Sequence, residues 1–217
     1  MVTAMATYRS IRTALLRALP SESLRPELRV RTSQSLLPRA SKLDVVVLNG
    51  HLHGYVIAMN VEDLLKVPIV IEGYRGVLEK MSLVVPLSIR NRALEMLPAW
   101  LGLKYFQVGP RGGIHFIGVR RCTINADFNL QDLAYLLQVS EAREWLARLW
   151  VFPVNGESRR QAMASRLAAT VEPAEIKAGV FSRLRSRWPW QPTPCRGHGS
   201  SGRGVGLPPI PWRFSVR

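Results

Sequence analysis

The apolar residues of this chain fall into short extended runs and longer helical stripes. The run that organises the rest is 42–59, KLDVVVLNGHLHGYVIAM, in which two apolar segments flank Asn49-Gly50. Asn-Gly between apolar segments is the strongest short-range signal for a β-hairpin, and an unbroken β-branched run is typical of a strand buried on both faces. The pattern therefore predicts paired strands over 43–48 and 53–58.

The segments around this hairpin show helical and extended patterns in alternation. Before it, an apolar stripe predicts a helix over 11–19, and alternation predicts an edge strand near 28–31. After it, Asn60 is placed to cap a helix that begins at Val61, and Pro68 is expected to open a second helical segment reaching about Lys80. A buried strand over 81–86 would then lie parallel to the hairpin in a β-α-β unit.

The second half of the chain predicts more strands and a series of helices. Strands are expected over 103–108 and 114–119, and helices over 89–97, 129–150, 157–170 and 173–187. The glycine-rich segment 109–113 lacks the Lys-Ser/Thr of a phosphate-binding loop and leads into a strand, so it is interpreted as a hairpin turn. The fold class expected is α/β, with a central mixed sheet flanked by helices.

Composition divides the 217 residues into three parts. We expect an α/β domain over 1–150, a basic helical extension over 151–188, and a disordered tail rich in Pro, Gly and Arg over 189–217. The two cysteines, Cys122 and Cys195, form no CxxC and argue against a disulfide scaffold. No apolar run is long enough to span a membrane, and a cytoplasmic location is expected.

The charge of the chain indicates a polyanionic partner. There are 30 Lys and Arg against 15 Asp and Glu, which gives a formal net charge of +15, and residues 151–217 hold 11 bases and 3 acids. This balance favours a polyanion such as nucleic acid, DNA first, or an anionic membrane surface, although a basic surface that only confers solubility would look the same. The residues expected to contact phosphate are Arg159, Arg160, Arg183, Arg185 and Arg187.

Asp44 is the first candidate for chemistry, because it is the one charged residue in the first hairpin strand. A carboxylate in an apolar strand is costly to bury unless it is paired or holds a metal ion. The residue is therefore either a metal ligand or a cap at the frayed start of the strand.

The residues around Asp44 resemble those of a known family. Asp44, Asn49-Gly50, the string Leu52-His53-Gly54-Tyr55, Pro68 and Glu72-x-Tyr74 match a pattern found in PD-(D/E)XK, restriction-endonuclease-like nucleases, and in particular in a small family of bacterial and phage proteins with that fold. The likeness runs from about Ile11 to about Arg187. It implies a restriction-endonuclease-like fold and divalent-metal-dependent phosphodiester hydrolysis.

The chain departs from that family at the catalytic pair. The family's E-x-K falls on Val56 and Ala58, so that only Asp44 remains of the metal site. Magnesium takes carboxylate oxygens and generates the attacking hydroxide, and Val56 and Ala58 supply neither a ligand nor a proton-handling group. We expect a nuclease fold that has lost hydrolysis and needs no cofactor. Asp44 and position 56 would share a face only if the hairpin loop holds three residues or a bulge.

Two alternatives remain open at the level of sequence. Glu62 and Lys66 would supply a displaced catalytic pair for a working Mg²⁺-dependent nuclease built on Asp44, although residues four apart on a helix are more often a surface ion pair. The chain would otherwise be a protein-interaction module that uses the fold without binding nucleic acid. His51, His53 and His115 give only a weak indication of a metal site, since no acid or cysteine at zinc spacing accompanies them.

Overall fold

The hairpin is the centre of the fold. The computed structural model describes residues 6–22, 29–34, 36–37, 40–151, 159–187 and 191–192. Strand β2 spans Leu43–Leu48 and strand β3 spans Leu52–Ile57, and they pair antiparallel. The two strands expected from the sequence are confirmed, and residues 49–51 form the loop between them.

The described part of the chain contains one mixed seven-stranded sheet. Its other strands are β1 (Arg29–Gln34), β4 (Lys80–Pro86), β5 (Gly102–Val108), β6 (Ile114–Arg120) and β7 (Gln191–Pro192), in the order β6-β5-β4-β3-β2-β1-β7. Strand β4 runs parallel to β3 and to β5, and the remaining neighbours are antiparallel. The parallel step and the α/β class with a mixed sheet are as predicted.

Seven α-helices flank the sheet within the described residues. They are α1 (Tyr8–Glu22), α2 (Val61–Gly73), α3 (Arg90–Met96), α4 (Leu130–Ala134), α5 (Val139–Arg148), α6 (Arg159–Thr170) and α7 (Pro173–Arg187), and a 3₁₀ turn at Leu87–Ile89 leads into α3.

Helix α2 corrects one prediction, because Pro68 lies inside it and does not start a second helix. Asn60 caps the helix at the expected residue, and its buried face presents Leu64, Val67 and Val70 to the core. A proline in a helix costs about 3 kcal/mol or more. Burying three apolar side chains offsets that cost, since each contributes about 1.5–3 kcal/mol.

The helix predicted over 129–150 is interrupted, and it forms α4 and α5. Asn129 caps α4 through its side chain, which accepts the N–H of Asp132. Gln138 and Glu141 then form a capping box that starts α5. Polar residues able to cap are frequent at helix starts, and here the second cap begins a separate helix.

The two sides of the sheet carry two separate hydrophobic clusters. Helix α1 packs Ile11, Leu15 and Leu19 against one side. The other side holds the main core, to which α2 through α7 contribute. Helices α6 and α7, expected as an extension, contribute buried residues to this main core. They are Met163, Ala164, Leu167, Ile176, Val180, Phe181 and Leu184.

The predicted tail lies outside the described residues except for Gln191 and Pro192. These two pair with Val30 and Arg29 at the edge of the sheet, so that this part of the expected tail is a strand. Among the residues described, no helix combines the length and apolar character needed to cross a membrane.

Candidate functional site

Asp44 lies where the hydrogen-bond ladder between β2 and β3 ends. The last paired residues are Val45 and Tyr55. Beyond them, the backbone N–H of Ile57 donates to Asp44 Oδ2 at 2.5 Å, and the hydroxyl of Tyr8 on α1 donates to Asp44 Oδ1. The carboxylate therefore takes the place of a backbone acceptor at the end of the ladder and ties α1 to the sheet. These contacts are those of a cap, which is one of the two roles expected for this residue.

The electrostatic surroundings of Asp44 are mixed. Burial raises the pKa of Asp44, while the hydrogen bonds from Tyr8 and Ile57 and the nearby Arg12 oppose the rise; Asp63 adds to it. Burial, together with the Asp44 carboxylate, raises the pKa of Tyr8 to about 12. A phenol with that pKa stays protonated near neutral pH, so Tyr8 remains a hydrogen-bond donor to the carboxylate.

A second carboxylate, Asp63, raises the pKa of Asp44 through its charge. The sequence pointed to its neighbour Glu62 instead. The backbone N–H of Asp63 donates to the capping oxygen of Asn60 at 2.9 Å. Lys66 Nζ lies 3.7 Å from Asp63 Oδ1, while Glu62 is exposed. The ion pair of Lys66 is thus made three residues back along the helix with Asp63, and the expected four-residue pair with Glu62 is not the one observed. Both spacings bring side chains to the same helical face.

The hairpin loop satisfies the register condition for the family's site. Leu48 pairs with Leu52, so that three residues, 49–51, connect the strands. The alternation of side chains nevertheless breaks at the start of β2. Leu43 belongs to the main core, whereas Val45, two residues on, belongs to the cluster under α1. Two residues apart on a regular strand would face the same side.

This break separates Asp44 from Val56 and Ala58, the positions on which the E-x-K of the resembled family falls. Val56 and Ala58 are buried in the main core, on the side of Leu64 and α2. The Asp44 carboxylate instead contacts Tyr8 of α1, the helix that packs on the other side. Asp44 and position 56 therefore do not share a face, although the loop has the three residues that such an arrangement requires.

A buried carboxylate at the opposite end of the hairpin joins distant parts of the chain. Glu79 is 4% exposed. It accepts hydrogen bonds from Lys177 on α7 at 2.5 Å and from the backbone N–H of Leu52 at 3.2 Å, and His51 Nδ1 lies 2.8 Å from it. Since a buried charge needs a partner and hydrogen bonds, this arrangement stabilises the packing of α7 against the hairpin.

His53 lies beside this cluster in different surroundings. Its Nε2 is 2.9 Å from Ser82 Oγ and 3.9 Å from Cys122 Sγ, and its ring stacks on Tyr55 with centroids 4.2 Å apart. Burial lowers the pKa of His53 to about 3, with further lowering from Lys104, Lys80 and His51. The ring is therefore neutral and serves hydrogen bonding. His115 lies apart on exposed β6, and the described residues contain no group of three or more His, Cys, Asp or Glu able to hold a metal.

The arginines expected to contact phosphate have intramolecular partners. Arg187 pairs with Glu141 at 3.0 Å and donates to the carbonyl of Leu136. Arg183 lies over the Trp145 ring, 4.6 Å from its centroid, and donates to the carbonyl of Gly179.

The other three arginines expected to contact phosphate are Arg159, Arg160 and Arg185. Arg160 donates to the carbonyls of Tyr135 and Leu137. Arg185 is partly buried, and the side chain of Arg159 lies outside the described part. Three of the five guanidinium groups are thus used to hold α6 and α7 onto α5 and the segment that joins α4 to α5, which is a structural role.

A cleft that the sequence argument missed lies between α1 and the turn joining β5 to β6. We call it the α1 cleft; Arg9, Thr13 and Arg17 line one wall and Gly112 and Gly113 the other. These α1 residues lie on the face of the helix opposite its apolar stripe. The four-residue spacing of two arginines and a threonine on one face of α1 is the sequence signal that could have indicated this polar surface.

Comparison with known proteins adds little to these observations. No protein-family model matches the chain, and no curated protein matches it. Among solved structures, a protein of unknown function from Silicibacter pomeroyi is similar, with a TM-score of 0.46 and 16% sequence identity; the alignment covers 67% of this chain and 93% of that chain. A similarity at this level carries no argument about function.

Proposed function

We propose that this chain is a nucleic-acid-binding protein of restriction-endonuclease-like architecture that does not hydrolyse phosphodiesters. The order of its first elements, α1-β1-β2-β3-α2-β4, and the hairpin carrying Asp44 support the architecture. The net charge of +15 supports a polyanionic partner. The finer fold assignment and the loss of activity are parts of the same proposal.

The observation that carries the loss of hydrolysis is the way Asp44 is used. Both of its carboxylate oxygens accept hydrogen bonds from the protein, while Val56 and Ala58 lie in the main core. A magnesium site in this family's arrangement needs carboxylate oxygens that converge with the substrate phosphate. The residues present do not fit that ion, because the one retained ligand is engaged as a cap and the other positions are apolar.

The test is a cleavage and binding assay on the purified chain. Plasmid and single-stranded DNA are incubated with and without Mg²⁺ or Mn²⁺, and binding is followed by fluorescence anisotropy over a series of salt concentrations. We expect no metal-dependent cleavage, and binding that weakens steeply with salt through counterion release.

Asp44→Ala and Asp44→Asn separate a capping role from a catalytic one. Asp44→Ala leaves the Ile57 N–H and the Tyr8 hydroxyl without their acceptor, a cost of about 1–3 kcal/mol in the free energy of unfolding. Asp44→Asn keeps an acceptor oxygen, so we expect a smaller loss. Neither substitution should change DNA affinity.

Two other outcomes would replace the proposal. Metal-dependent cleavage by the unmodified chain that disappears in Asp44→Asn, with the fold intact, would establish a working nuclease built on Asp44, and Asp63→Asn would then test the second carboxylate. Absence of binding to any nucleic acid at low salt would leave the protein-interaction module as the better description.

A further inference from the structure

The α1 cleft encloses about 480 Å³ between α1 and the β5–β6 turn. We infer that it is the surface that contacts the sugar-phosphate backbone of nucleic acid, an inference that rests on the proposed function. It replaces the arginines of α6 and α7 as the predicted contact surface.

The geometry of α1 presents a polar stripe to the cleft. Arg9, Thr13 and Arg17 follow one another at intervals of four residues, which places them along one side of a helix. Ile11 and Leu15 are buried on the side that packs on the sheet. The arginine positions are eight residues apart, so their backbones are separated by about 12 Å along the helix axis. That distance spans several nucleotides of one strand, at about 3.4 Å each.

The guanidinium groups of this stripe are available for a ligand. Arg9 and Arg17 are exposed and make no hydrogen bond or ion pair within the described residues. This contrasts with Arg183 and Arg187, whose groups contact α5, α7 itself or the segment that joins α4 to α5. A guanidinium without an acidic partner binds phosphate without first breaking an internal contact.

The opposite wall of the cleft allows a close approach. Gly112 has a φ of 75°, and a Cβ added there would meet nothing within 4 Å. Arg111, at the tip of the same turn, is exposed and makes no ion pair in the part of the chain that the structure describes. No acidic or aromatic side chain lines the cleft. The surface is therefore suited to phosphate charge and not to base stacking, which predicts binding with little sequence preference.

The decisive experiment compares two double variants with the same loss of charge. Arg9→Gln with Arg17→Gln removes the arginines of the cleft. Arg92→Gln with Arg143→Gln removes two exposed arginines from α3 and α5, helices that pack on the other side of the sheet. Affinity for fluorescein-labelled duplex DNA is measured by anisotropy at several salt concentrations, and folding is checked by thermal melting.

We expect the cleft variant to lose more than about tenfold in affinity at low salt. Its log-affinity against log-salt slope should flatten by up to about 1.8, or about 0.9 for each lost phosphate contact, equally on unrelated sequences. The matched variant should stay close to the unmodified chain. Equal losses in both variants would mean that total charge alone decides affinity, and would overturn the inference.

A second pair of variants keeps the inference testable if the arginine variant does not fold. Thr13→Glu places a carboxylate between the two arginines, and Ser165→Glu places one on the exposed surface of α6. Weakened binding only in Thr13→Glu supports the cleft, and unchanged binding in both overturns it. If the unmodified chain binds no nucleic acid, the proposed function itself fails, which is a distinct result.

Discussion

His53 shows how one residue can make stability depend on pH. Its ring is held neutral by burial, and Lys80, Lys104 and His51 oppose its protonation further, so that its pKa falls to about 3 from an ordinary 6.5. Between these two values the unfolded chain binds a proton that the folded chain does not. Stability contributed by the neutral ring is therefore complete above pH 6.5 and is lost as the pH falls toward 3.

We expect the free energy of unfolding to fall by up to about 2 kcal/mol between pH 7 and pH 5 because of His53. Urea unfolding at a series of pH values measures it. In His53→Gln, which can still hydrogen-bond Ser82, the pH dependence should be shallower by that amount. The raised pKa of Asp44 makes the free energy of unfolding rise as the pH falls. Asp44 is present in both the unmodified chain and His53→Gln, so its contribution cancels when the two pH profiles are subtracted. Parallel pH profiles would contradict the prediction.

At the same scale, Asp44 marks the limit of prediction from sequence. Its position in an apolar strand identified it from the sequence as a residue with a special role. The condition that a three-residue loop would place it opposite position 56 could also be stated from the sequence, and the loop has that length. The break in alternation after Leu43 could not be foreseen, because the Asp44 carboxylate accepts hydrogen bonds from Ile57 and Tyr8, which are distant in the sequence. A local pattern assumes a regular strand, and this strand is irregular at its first residues.

Between elements, α7 comes close to α5 at one glycine of the main core. Gly179 on α7 faces the ring of Trp145, and a Cβ added at Gly179 would lie 2.2 Å from that ring. Arg183, one turn further along α7, covers the same ring with its guanidinium. The glycine is therefore required by the packing of the two helices, and not by backbone conformation.

We expect Gly179→Ala to destabilise the protein by about 1–3 kcal/mol, because the indole must shift to admit a methyl group. The sign is diagnostic, since Gly to Ala inside a helix is normally stabilising by up to about 1 kcal/mol. Thermal or urea unfolding measures the change. Gly179→Ala combined with Trp145→Phe, which shortens the ring system, should recover part of the loss; a stabilised single variant would contradict the close contact.

The bounds of helices and strands were predicted well where a local sequence signal sets them, and less well where tertiary packing sets them. The cap at Asn60 and the strands of the hairpin are confirmed. Pro68 was expected to divide α2, yet the buried stripe on either side holds the helix together. The region 129–150 was expected to be helical, and the capping box at Gln138 marks where its second helix, α5, begins. A strong local preference yields to tertiary contacts when enough apolar surface is buried.

For the whole molecule, the main core crosses the boundary expected at residue 150. Buried side chains of α6 and α7 pack with residues of α2, α4 and α5 in one cluster. Composition suggested an extension, because residues 151–217 are rich in base and poor in acid. The larger apolar side chains of these helices, among them Met163, Leu167, Ile176 and Leu184, are nevertheless all buried in the main core.

We expect a fragment of residues 1–150 to be unfolded. Removing α6 and α7 takes away buried side chains that contribute about 1.5–3 kcal/mol each, while a whole domain is stable by only about 5–15 kcal/mol. Circular dichroism and thermal melting of the fragment measure this, with residues 1–192 as the matched control that keeps β7. Cooperative melting of the shorter fragment near the temperature of the full chain would show that the first 150 residues fold alone.

The contacts of Glu79 have a consequence for how the chain folds while it is being synthesised. The hairpin residue His51 and the α7 residue Lys177, which both reach Glu79, are 126 residues apart in the chain. During synthesis the hairpin leaves the ribosome long before α7 exists, and at about 5–20 residues per second the delay is about 6–25 seconds. Until then the Glu79 carboxylate remains hydrated and the surface that α7 later covers is open to water. The nascent chain therefore passes through a period in which strands β1 to β6 have been made but α7 is missing from the core, and in that period a chaperone has apolar surface to bind.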